Sequence, residues 1–357
     1  MKELREIAAA WRTLEADGQE AVLATVVRTR GSTYRKAGAR MLVTESEWVA
    51  GAISGGCLEN DLLRKAWWRT REGRVLVTYD GASETDDAVS WGFGLGCDGS
   101  VDVLLERLRP GMALDPVRPV RMAIEARRPS VVSTVLDGAL GRLVLGDDGS
   151  VQDDLPASLR TPVLEAAYAV SKGGGELATR VGEVEVVHER VTPPLALVVF
   201  GSNYDALPLV RFAVELGWET TVVERRPSAS MQRRFATAHR VVSGRAPDVL
   251  ETALGTEPPA VVVMTHEYTE DRALLRGLVE RPTRYLGLLG PRARTARLFD
   301  EIGATAEQRA RVQGPVGLDL GGRAPEDVAL AIVAQIQATV HGRSAPALRE
   351  RISSERA

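Results

Sequence analysis

The stretch "LALVVFGSNYDALPLVRFAVELGWETTVVE", residues 195–224, decides the fold that we expect for the second half of the chain. The uninterrupted apolar run at residues 195–200 predicts a strand that is buried on both faces. A short polar loop follows, then a helical pattern over residues 204–217 and an apolar strand at residues 220–224. This order of elements is typical of a parallel sheet covered by helices.

The same alternation of strand and helix continues beyond this stretch. "AVVVMT" and "RYLGLL" predict two further strands, and "PEDVALAIVAQIQATVHG" predicts a long final helix. We therefore expect an α/β chain whose residues 193–342 form a Rossmann-like parallel-sheet domain, with a polar tail at residues 343–357. Two prolines, Pro193 and Pro194, mark the start of this domain.

The loop after the first strand of this domain has part of a dinucleotide-binding pattern. Gly201 stands at the first glycine of the pattern, and Asn203 stands where a second glycine normally lets a pyrophosphate approach the backbone. Glu224 ends the next strand, where a carboxylate binds a ribose hydroxyl. The pattern predicts a nucleotide-type fold. It leaves open whether the ligand is NAD(P) or another nucleotide, or whether the fold serves only as a scaffold.

Three more residues lie at predicted strand ends of this domain. His266 follows a strand and borders the expected ligand crevice, either as an acid–base or ligand group or as a structural histidine. Gly290 precedes a predicted helix start that favours anions, with Arg292 close by. An exposed helix face explains that arginine equally well.

The first half of the chain has a different pattern. Helical periodicity at residues 2–16, a β-branched strand at residues 21–30 and a helix at residues 58–73 predict a mixed α+β domain over residues 1–110. Residues 111–192 are less regular, and we expect an α+β extension or connecting region there.

The two cysteines of the chain both lie among glycines. Cys57 is in "GAISGGCLEN" and Cys97 is in "GFGLGCDGS". Because Cys57 precedes a predicted helix, the partial positive charge at the helix start favours its thiolate. The alternative is that each cysteine is a small buried hydrophobic residue.

Residues around Cys57 are candidates for a binding pocket. Gly55 and Gly56 remove side-chain bulk, so that a ligand can approach closely. Glu59 would oppose a thiolate if it pointed inward, and we expect it to face away or to bind a ligand. Upstream, "RTRGSTYRKAGAR" supplies Arg35 and Arg40, which are predicted to bind a phosphate through bidentate contacts. Taken alone, this segment is only a basic turn.

Composition excludes several classes of function. The chain of 357 residues has a formal net charge of −3 with acidic and basic residues intermixed, which argues against a nucleic-acid partner. Charges interrupt every apolar run at the N-terminus, so we expect neither a signal peptide nor a membrane contact, and we expect a cytoplasmic protein with free thiols.

Together these motifs resemble a known family. "RTRGSTYRKAGARMLVTES", "GAISGGCLENDL" and "GLGCDGSVDVLLE" are similar to segments of the XdhC/CoxI family, as are "THEYTED" and "RYLGLLGPRARTARL" in the second half. Members are accessory proteins for xanthine dehydrogenase, CO dehydrogenase and related molybdenum hydroxylases. The resemblance covers nearly the whole chain apart from about residues 110–190.

The resemblance implies a role in the maturation of the molybdenum cofactor. Such a protein binds the cofactor, holds it while a cysteine desulfurase supplies a terminal sulfur, and passes it to the apo-hydroxylase. Cys57 is then the first candidate, and Cys97 the second, for contact with the molybdenum or the transferred sulfur. This role is that of a chaperone more than of a stand-alone enzyme, and a homodimer is expected.

Two alternatives stay open. The C-terminal domain suits an NAD(P)-dependent oxidoreductase, and the chain also suits an assembly partner that docks on its target without carrying a cofactor.

Overall fold

The computed structural model describes residues 1–56, 58–80, 99–136, 141–174, 177–225, 229–245 and 248–352. The chain divides into two compact units, at residues 3–194 and 195–357. The division falls directly after Pro193 and Pro194, which lack the N–H group that a continuing strand would need.

The first unit begins with an antiparallel sheet. Its elements are α1 (Lys2–Ala16), β1 (Ala21–Arg30), β2 (Arg40–Val43), β3 (Trp48–Gly51), α2 (Glu59–Arg69), β4 (Val75–Asp80) and β5 (Ser100–Leu108). The strand order is β3-β2-β1-β5-β4, with β1 at the centre. Alternate residues of β1 face opposite sides. Val22 and Ala24 therefore pack with Leu62 of α2, whereas Leu23 packs with Trp11 of α1.

Residues 111–192 contain a second five-stranded antiparallel sheet. Its elements are α3 (Arg118–Glu125), β6 (Ser130–Val135), β7 (Arg142–Gly146), β8 (Val151–Asp153), α4 (Ala157–Ser171), β9 (Ala178–Val181) and β10 (Val184–Val191), and the strand order is β8-β7-β6-β10-β9. Val163 and Ala167 of α4 cover one face of this sheet. The sequence pattern there is weak because its strands are short and carry polar residues.

The second unit is a parallel sheet with helices between its strands, which confirms the predicted Rossmann-like fold. The elements are β11 (Ala196–Phe200), α5 (Ala206–Glu215), β12 (Glu219–Glu224), α6 (Ala229–Arg234), β13 (Arg240–Ser243), α7 (Leu250–Leu254), β14 (Ala260–Val263), α8 (Tyr268–Leu278), β15 (Tyr285–Leu288), α9 (Arg292–Ile302), α10 (Ala306–Arg311), β16 (Val312–Gln313), α11 (Pro325–Val340) and α12 (Leu348–Ile352). Sequence reasoning missed β13 and β16, which are short strands at the two edges of the sheet.

The strand order β13-β12-β11-β14-β15-β16 places the topological switch point between β11 and β14. Apolar clusters cover both faces of the sheet. Leu209 of α5 and Ile332 of α11 pack on one face, and Leu274 of α8 and Leu298 of α9 pack on the other. In such sheets, ligands bind beyond the carboxyl ends of the strands at the switch point.

Within the described ranges, no helix combines the length and the apolar character that crossing a bilayer requires.

Candidate functional site

Glu59 fastens the loop that joins β3 to α2. Its side chain is buried, with 2% exposed, and one carboxylate oxygen accepts the backbone N–H groups of Ile53 at 3.1 Å and Ser54 at 2.7 Å. The other oxygen accepts the Gly56 N–H at 3.1 Å and the Ser54 hydroxyl. The expectation that Glu59 faces away or binds a ligand is therefore wrong, since both of its oxygens accept hydrogen bonds from its own loop.

Ser54 completes this arrangement at the start of α2. Its hydroxyl oxygen accepts the N–H groups of Gly56 at 3.2 Å and Leu58 at 3.1 Å, which are donors with no helical partner. Burial alone would raise the pKa of Glu59, but hydrogen bonds from the Ser54 side chain and from the loop backbone lower that pKa below its ordinary value. Sequence reasoning missed Ser54, although a serine ahead of a helix is a capping signal.

The basic loop, residues 31–39, lies against the loop that Glu59 holds. Arg35 donates to the backbone oxygen of Ala52 at 3.0 Å. A Cβ atom placed on Gly55 would lie 3.6 Å from the Tyr34 ring, so this ring lies over the Gly55 backbone at van der Waals distance. Tyr34 keeps 79% of its surface exposed. Gly56 has φ of +113°, which favours glycine.

Gly99 brings a third segment to the same basic loop. A Cβ atom on Gly99 would lie 2.3 Å from the backbone oxygen of Ser32 and 2.8 Å from that of Arg30, so a side chain does not fit. Cys57 and Cys97 lie outside the described residues. The described residues nearest to each of them in the chain, Gly56 and Gly99, belong to segments that meet at the basic loop.

Arg35 and Arg40 are not free to form a joint phosphate clamp. Arg40 is buried and makes a bidentate pair with Glu189, at 3.0 and 2.5 Å, and Arg35 pairs with Glu3. A phosphate would have to compete with these carboxylates. Because Glu189 is 149 positions from Arg40, no local pattern in the sequence predicts the pair.

A second candidate site lies at the carboxyl ends of β11, β12 and β14. It is a crevice of about 340 Å³, and the residues that line it include Gly201, Asn203, Glu224, Thr265, Glu267 and Glu270. It thus occupies the switch point, and the structure brings Gly201, Asn203 and Glu224 together there as the sequence predicts.

Gly201 and Asn203 connect the loops on the two sides of the switch point. Gly201 has φ of +124°, and a Cβ atom there would lie 2.3 Å from the backbone oxygen of Met264. The glycine is therefore required by the close approach of the chain after β14. Asn203 donates to the backbone oxygen of Thr265 at 3.3 Å, so its side chain bridges the same two loops.

Negative charge predominates in this crevice. Glu224, Glu267 and Glu270 line it, whereas Arg225 is the one basic residue among the described lining residues and lies 3.2 Å from Glu267. Burial raises the pKa of Glu224 above its ordinary value. Such a lining suits ligand hydroxyl groups and opposes a phosphate placed beside Glu224.

His266 follows β14 with φ of +64°, and its Nε2 lies 3.5 Å from a carboxylate oxygen of Asp205. Asp205 precedes α5, so this pair also spans the switch point. Gly290, with φ of +138°, and the exposed Arg292 lie after β15 and are not among the lining residues of the crevice. Sequence reasoning missed Asp205, because nothing local distinguishes it from other surface carboxylates.

Two family models match the two halves of the chain. Residues 14–80 match the model described as the XdhC and CoxI family, and residues 197–336 match the model described as the XdhC Rossmann domain. The chain belongs to the XdhC and CoxI family. The first match ends in the strand after α2, so it contains the loop around Cys57. The second contains the crevice at the switch point.

Relatives of this XdhC and CoxI family member align over most of its length. It is 29% identical to a probable xanthine dehydrogenase subunit of Bacillus subtilis (strain 168), over 90% of this chain and 93% of the relative. It is 26% identical to the molybdenum cofactor insertion chaperone PaoD of Escherichia coli (strain K12), over 89% and 83%. The crystal structure of a xanthine dehydrogenase from Bacillus halodurans has a TM-score of 0.76 and 29% identity, and covers 97% of this chain and 98% of that one.

Proposed function

We propose that this protein binds the molybdenum cofactor as its cargo and inserts it into a molybdenum hydroxylase. The observation that carries the proposal is that two segments contact the basic loop: the loop of Ser54 and Gly56, and the segment of Gly99. In the sequence, the first of these two segments contains Cys57 and the second contains Cys97. The similarity of this chain to a molybdenum cofactor insertion chaperone supports the same role.

The chemistry of the residues around the basic loop, and of the two cysteines in the sequence, fits this cargo. A molybdopterin presents a flat pterin, a phosphate and a soft metal–sulfur centre. Gly55 and the exposed ring of Tyr34 offer a surface without bulk, on which a flat ring can stack. Lys36 is exposed and has no carboxylate partner among the residues that the structure describes, so it is one cation available to the phosphate. Thiolates of Cys57 and Cys97 are soft ligands that suit molybdenum or sulfur.

The finer steps of the proposal come from the family role. The cofactor is held while a cysteine desulfurase supplies its terminal sulfur, and it then passes to an apo-hydroxylase of the xanthine dehydrogenase or CO dehydrogenase type. Cys57 is the first candidate for contact with the molybdenum or the transferred sulfur, and Cys97 is the second. We place this work in the cytoplasm and assign it to a homodimer.

Cofactor content tests the proposal. The protein is purified from a molybdenum-replete host, molybdenum is measured by elemental analysis, and the pterin is measured by mass spectrometry. Wild-type protein is expected to carry both, and Cys57→Ala to lose most of both. Tyr34→Ala is expected to retain less cofactor than wild type, because the stacking surface is gone, whereas Tyr168→Ala, an exposed tyrosine on α4, serves as the matched control.

Activation of an apo-hydroxylase gives the second readout. Wild-type protein, loaded with cofactor and incubated with a cysteine desulfurase, is expected to restore hydroxylase activity. If Cys57→Ala and Cys97→Ala each bind as much cofactor as wild type and activate the hydroxylase fully, the role of the cysteines is wrong. Capture of the hydroxylase by cofactor-free protein, with equal affinity, would favour the docking role instead.

The crevice at the switch point favours a second candidate function, that of an NAD(P)-dependent oxidoreductase. Glu224 lies at the end of β12, where a carboxylate binds ribose hydroxyls. The same carboxylate repels the 2′-phosphate of NADP, so NAD is the better fit of the two. Asn203 in place of the second glycine narrows the pyrophosphate approach and counts against either cofactor.

Fluorescence titration with NADH and NADPH separates these cases. Saturable NADH binding that weakens in Glu224→Gln, but not in the exposed control Glu326→Gln, would support the second candidate. No saturable binding at concentrations up to about 1 mM, a typical upper limit for enzyme substrates, would eliminate it.

A further inference from the structure

The two antiparallel sheets of the first unit pack face to face. Leu23 and Leu42 of the first sheet share an apolar cluster with Val132 and Val191 of the second. A smaller cluster joins Val27 and Leu104 to Leu136, with Val187 packed against it. Because residues on one face of a strand alternate with those on the other, the residues between these clusters also point into the space between the sheets.

Those intervening residues are polar. On the first sheet Thr25 pairs with Arg40, and on the second Thr134 pairs with Arg142. Three ion pairs between described strand residues cross from sheet to sheet: Arg28 with Glu185, Arg40 with Glu189 and Arg142 with Glu106. The second and third each have a closest distance of 2.5 Å. Burying charges costs free energy that their attraction often fails to offset. Apolar side chains of similar volume would therefore stabilise the packing of the two sheets as well as these ion pairs do, or better.

A cavity of about 520 Å³ lies in this polar region. The residues that line it include Thr25, Arg40, Thr134, Arg142, Val187 and Glu189. A cavity of this volume accommodates a small organic molecule, and genuinely empty cavities are usually apolar. Ala37 and Gly38 also line it, so it adjoins the basic loop.

The arginines of this cavity have unused hydrogen-bond donors. Arg142 is 5% exposed and donates through Nη2 to Glu106, but its buried Nε and Nη1 have no partner among the described residues. The buried Nε of Arg40 also has none there. Each buried donor without an acceptor costs roughly 1–3 kcal/mol, which a bound acceptor would recover. Glu106 cannot supply it, because Arg74 occupies its other oxygen at 2.9 Å.

We propose that the cavity between the two sheets binds a small molecule through its phosphate group. Arg142 donates to the phosphate oxygens through Nε and Nη1, and Arg40 donates through Nε, which its pair with Glu189 leaves unused. The Thr25 and Thr134 hydroxyls lie in the same lining. Guanidinium groups suit phosphate because their planar donors match two of its oxygens. The phosphate belongs either to a free metabolite or to the pterin cargo. The inference goes beyond the proposed function, because the site recognises the group whichever molecule carries it.

Two variants test the site in different ways. Arg142→Leu removes the donors, and the fold is expected to survive because Glu106 keeps its pair with Arg74. Val187→Phe leaves every charge in place and fills part of the cavity. Arg160→Leu is the matched control, since Arg160 is an exposed arginine of α4 in the same unit. Circular dichroism verifies the fold of each variant.

Inorganic phosphate is titrated into the full chain by calorimetry. We expect saturable binding to wild type and to Arg160→Leu, and an affinity at least about 10-fold weaker, or roughly 1.4 kcal/mol, in both Arg142→Leu and Val187→Phe. Equal binding to wild type and to both cavity variants would overturn the proposal. So would the absence of binding to wild type up to about 10 mM, beyond which an affinity is too weak to indicate a built site.

Cofactor content identifies the source of the phosphate. If Arg142→Leu loses phosphate binding but retains the pterin cargo, the cavity serves a free metabolite. If it loses both, the cavity holds the phosphate of the cargo. If wild type binds phosphate in the cavity but no variant and no wild-type preparation carries cofactor, this inference stands and the proposed chaperone function fails.

Discussion

Replacing Glu59 by glutamine is expected to loosen the loop that precedes Cys57. The carboxylate accepts hydrogen bonds from three backbone N–H groups and one hydroxyl, two on each oxygen. Glutamine has one oxygen, which can still accept hydrogen bonds. Its NH₂ group takes the place of the other oxygen and is itself a donor, so it cannot accept from the N–H or O–H groups that this oxygen binds. Two of the four bonds are therefore lost. Since a hydrogen bond to a charged group contributes roughly 1.5–3 kcal/mol, the free energy of unfolding of the first unit is expected to fall by about 3 kcal/mol or more.

Urea unfolding combined with hydrogen-exchange mass spectrometry measures this effect. The Ser54 amide binds one oxygen of Glu59 and the Gly56 amide binds the other, so glutamine leaves one of the two amides without this acceptor. That amide should lose protection in Glu59→Gln before the rest of the unit does. The matched control is Glu72→Gln, the same chemical change at an exposed position just after α2, where an effect within about 0.5 kcal/mol is expected. Equal stability and equal protection in the two variants would refute the reasoning.

The pH dependence gives an independent measurement at Glu59. The pKa of Glu59 in the native state lies below the ordinary value of 4.5. At pH values between these two pKa values, the native state therefore binds fewer protons than the unfolded state. The stability that Glu59 contributes is therefore fully present above about pH 4.5 and is lost as the pH falls through the lower native pKa. The difference in unfolding free energy between wild type and Glu59→Gln should shrink over that window, and a difference that grows on acidification would contradict it.

Three further outcomes are expected. Gly201→Ala should lower the thermal midpoint far more than Gly303→Ala. Both positions have a positive φ, but only at Gly201 does the added Cβ also clash with backbone, which we expect to cost more than about 2 kcal/mol. Equal midpoints would show that the chain after β14 moves aside. Arg294→Leu should lower the free energy of unfolding in urea by about 3 kcal/mol, since it leaves the fully buried Asp271, 2.6 Å away, without its cation. A neutral result would show that the ion pair does not contribute to stability. Burial lowers the pKa of His188, so wild-type stability should fall as the pH drops below 6.5 towards the lower native pKa, and His188→Gln should remove that part of the slope. An unchanged slope in urea titrations at several pH values would assign it to other groups.

Local patterns predicted the regular elements well where one periodicity dominates. The expected helix at residues 2–16 and the expected strand at residues 21–30 have the bounds of α1 and β1. The alternation after residue 195 predicted the parallel sheet, because strands buried on both faces must be continuously apolar. The edge strand β13 escaped, since it has only four residues and two of them are exposed.

The candidate site was predictable only in part. Gly55, Gly56 and the basic loop stand out by composition, and the structure brings their segments together with that of Gly99. What Arg35 and Arg40 bind was not predictable, because their partners, Glu3 and Glu189, are distant in the chain and unremarkable by themselves. No pattern in the sequence around Glu59 predicts that its carboxylate accepts hydrogen bonds from its own loop.

The sequence by itself determined the parallel sheet of the second unit and the glycine-rich setting of both cysteines, since periodicity and glycine content act through neighbouring residues. Only the tertiary structure decided which charges are paired, that Gly201 accommodates the chain after β14, and that two sheets enclose a polar cavity beside the basic loop. Those features depend on contacts between residues far apart in the chain, and such contacts form only when the sheets pack.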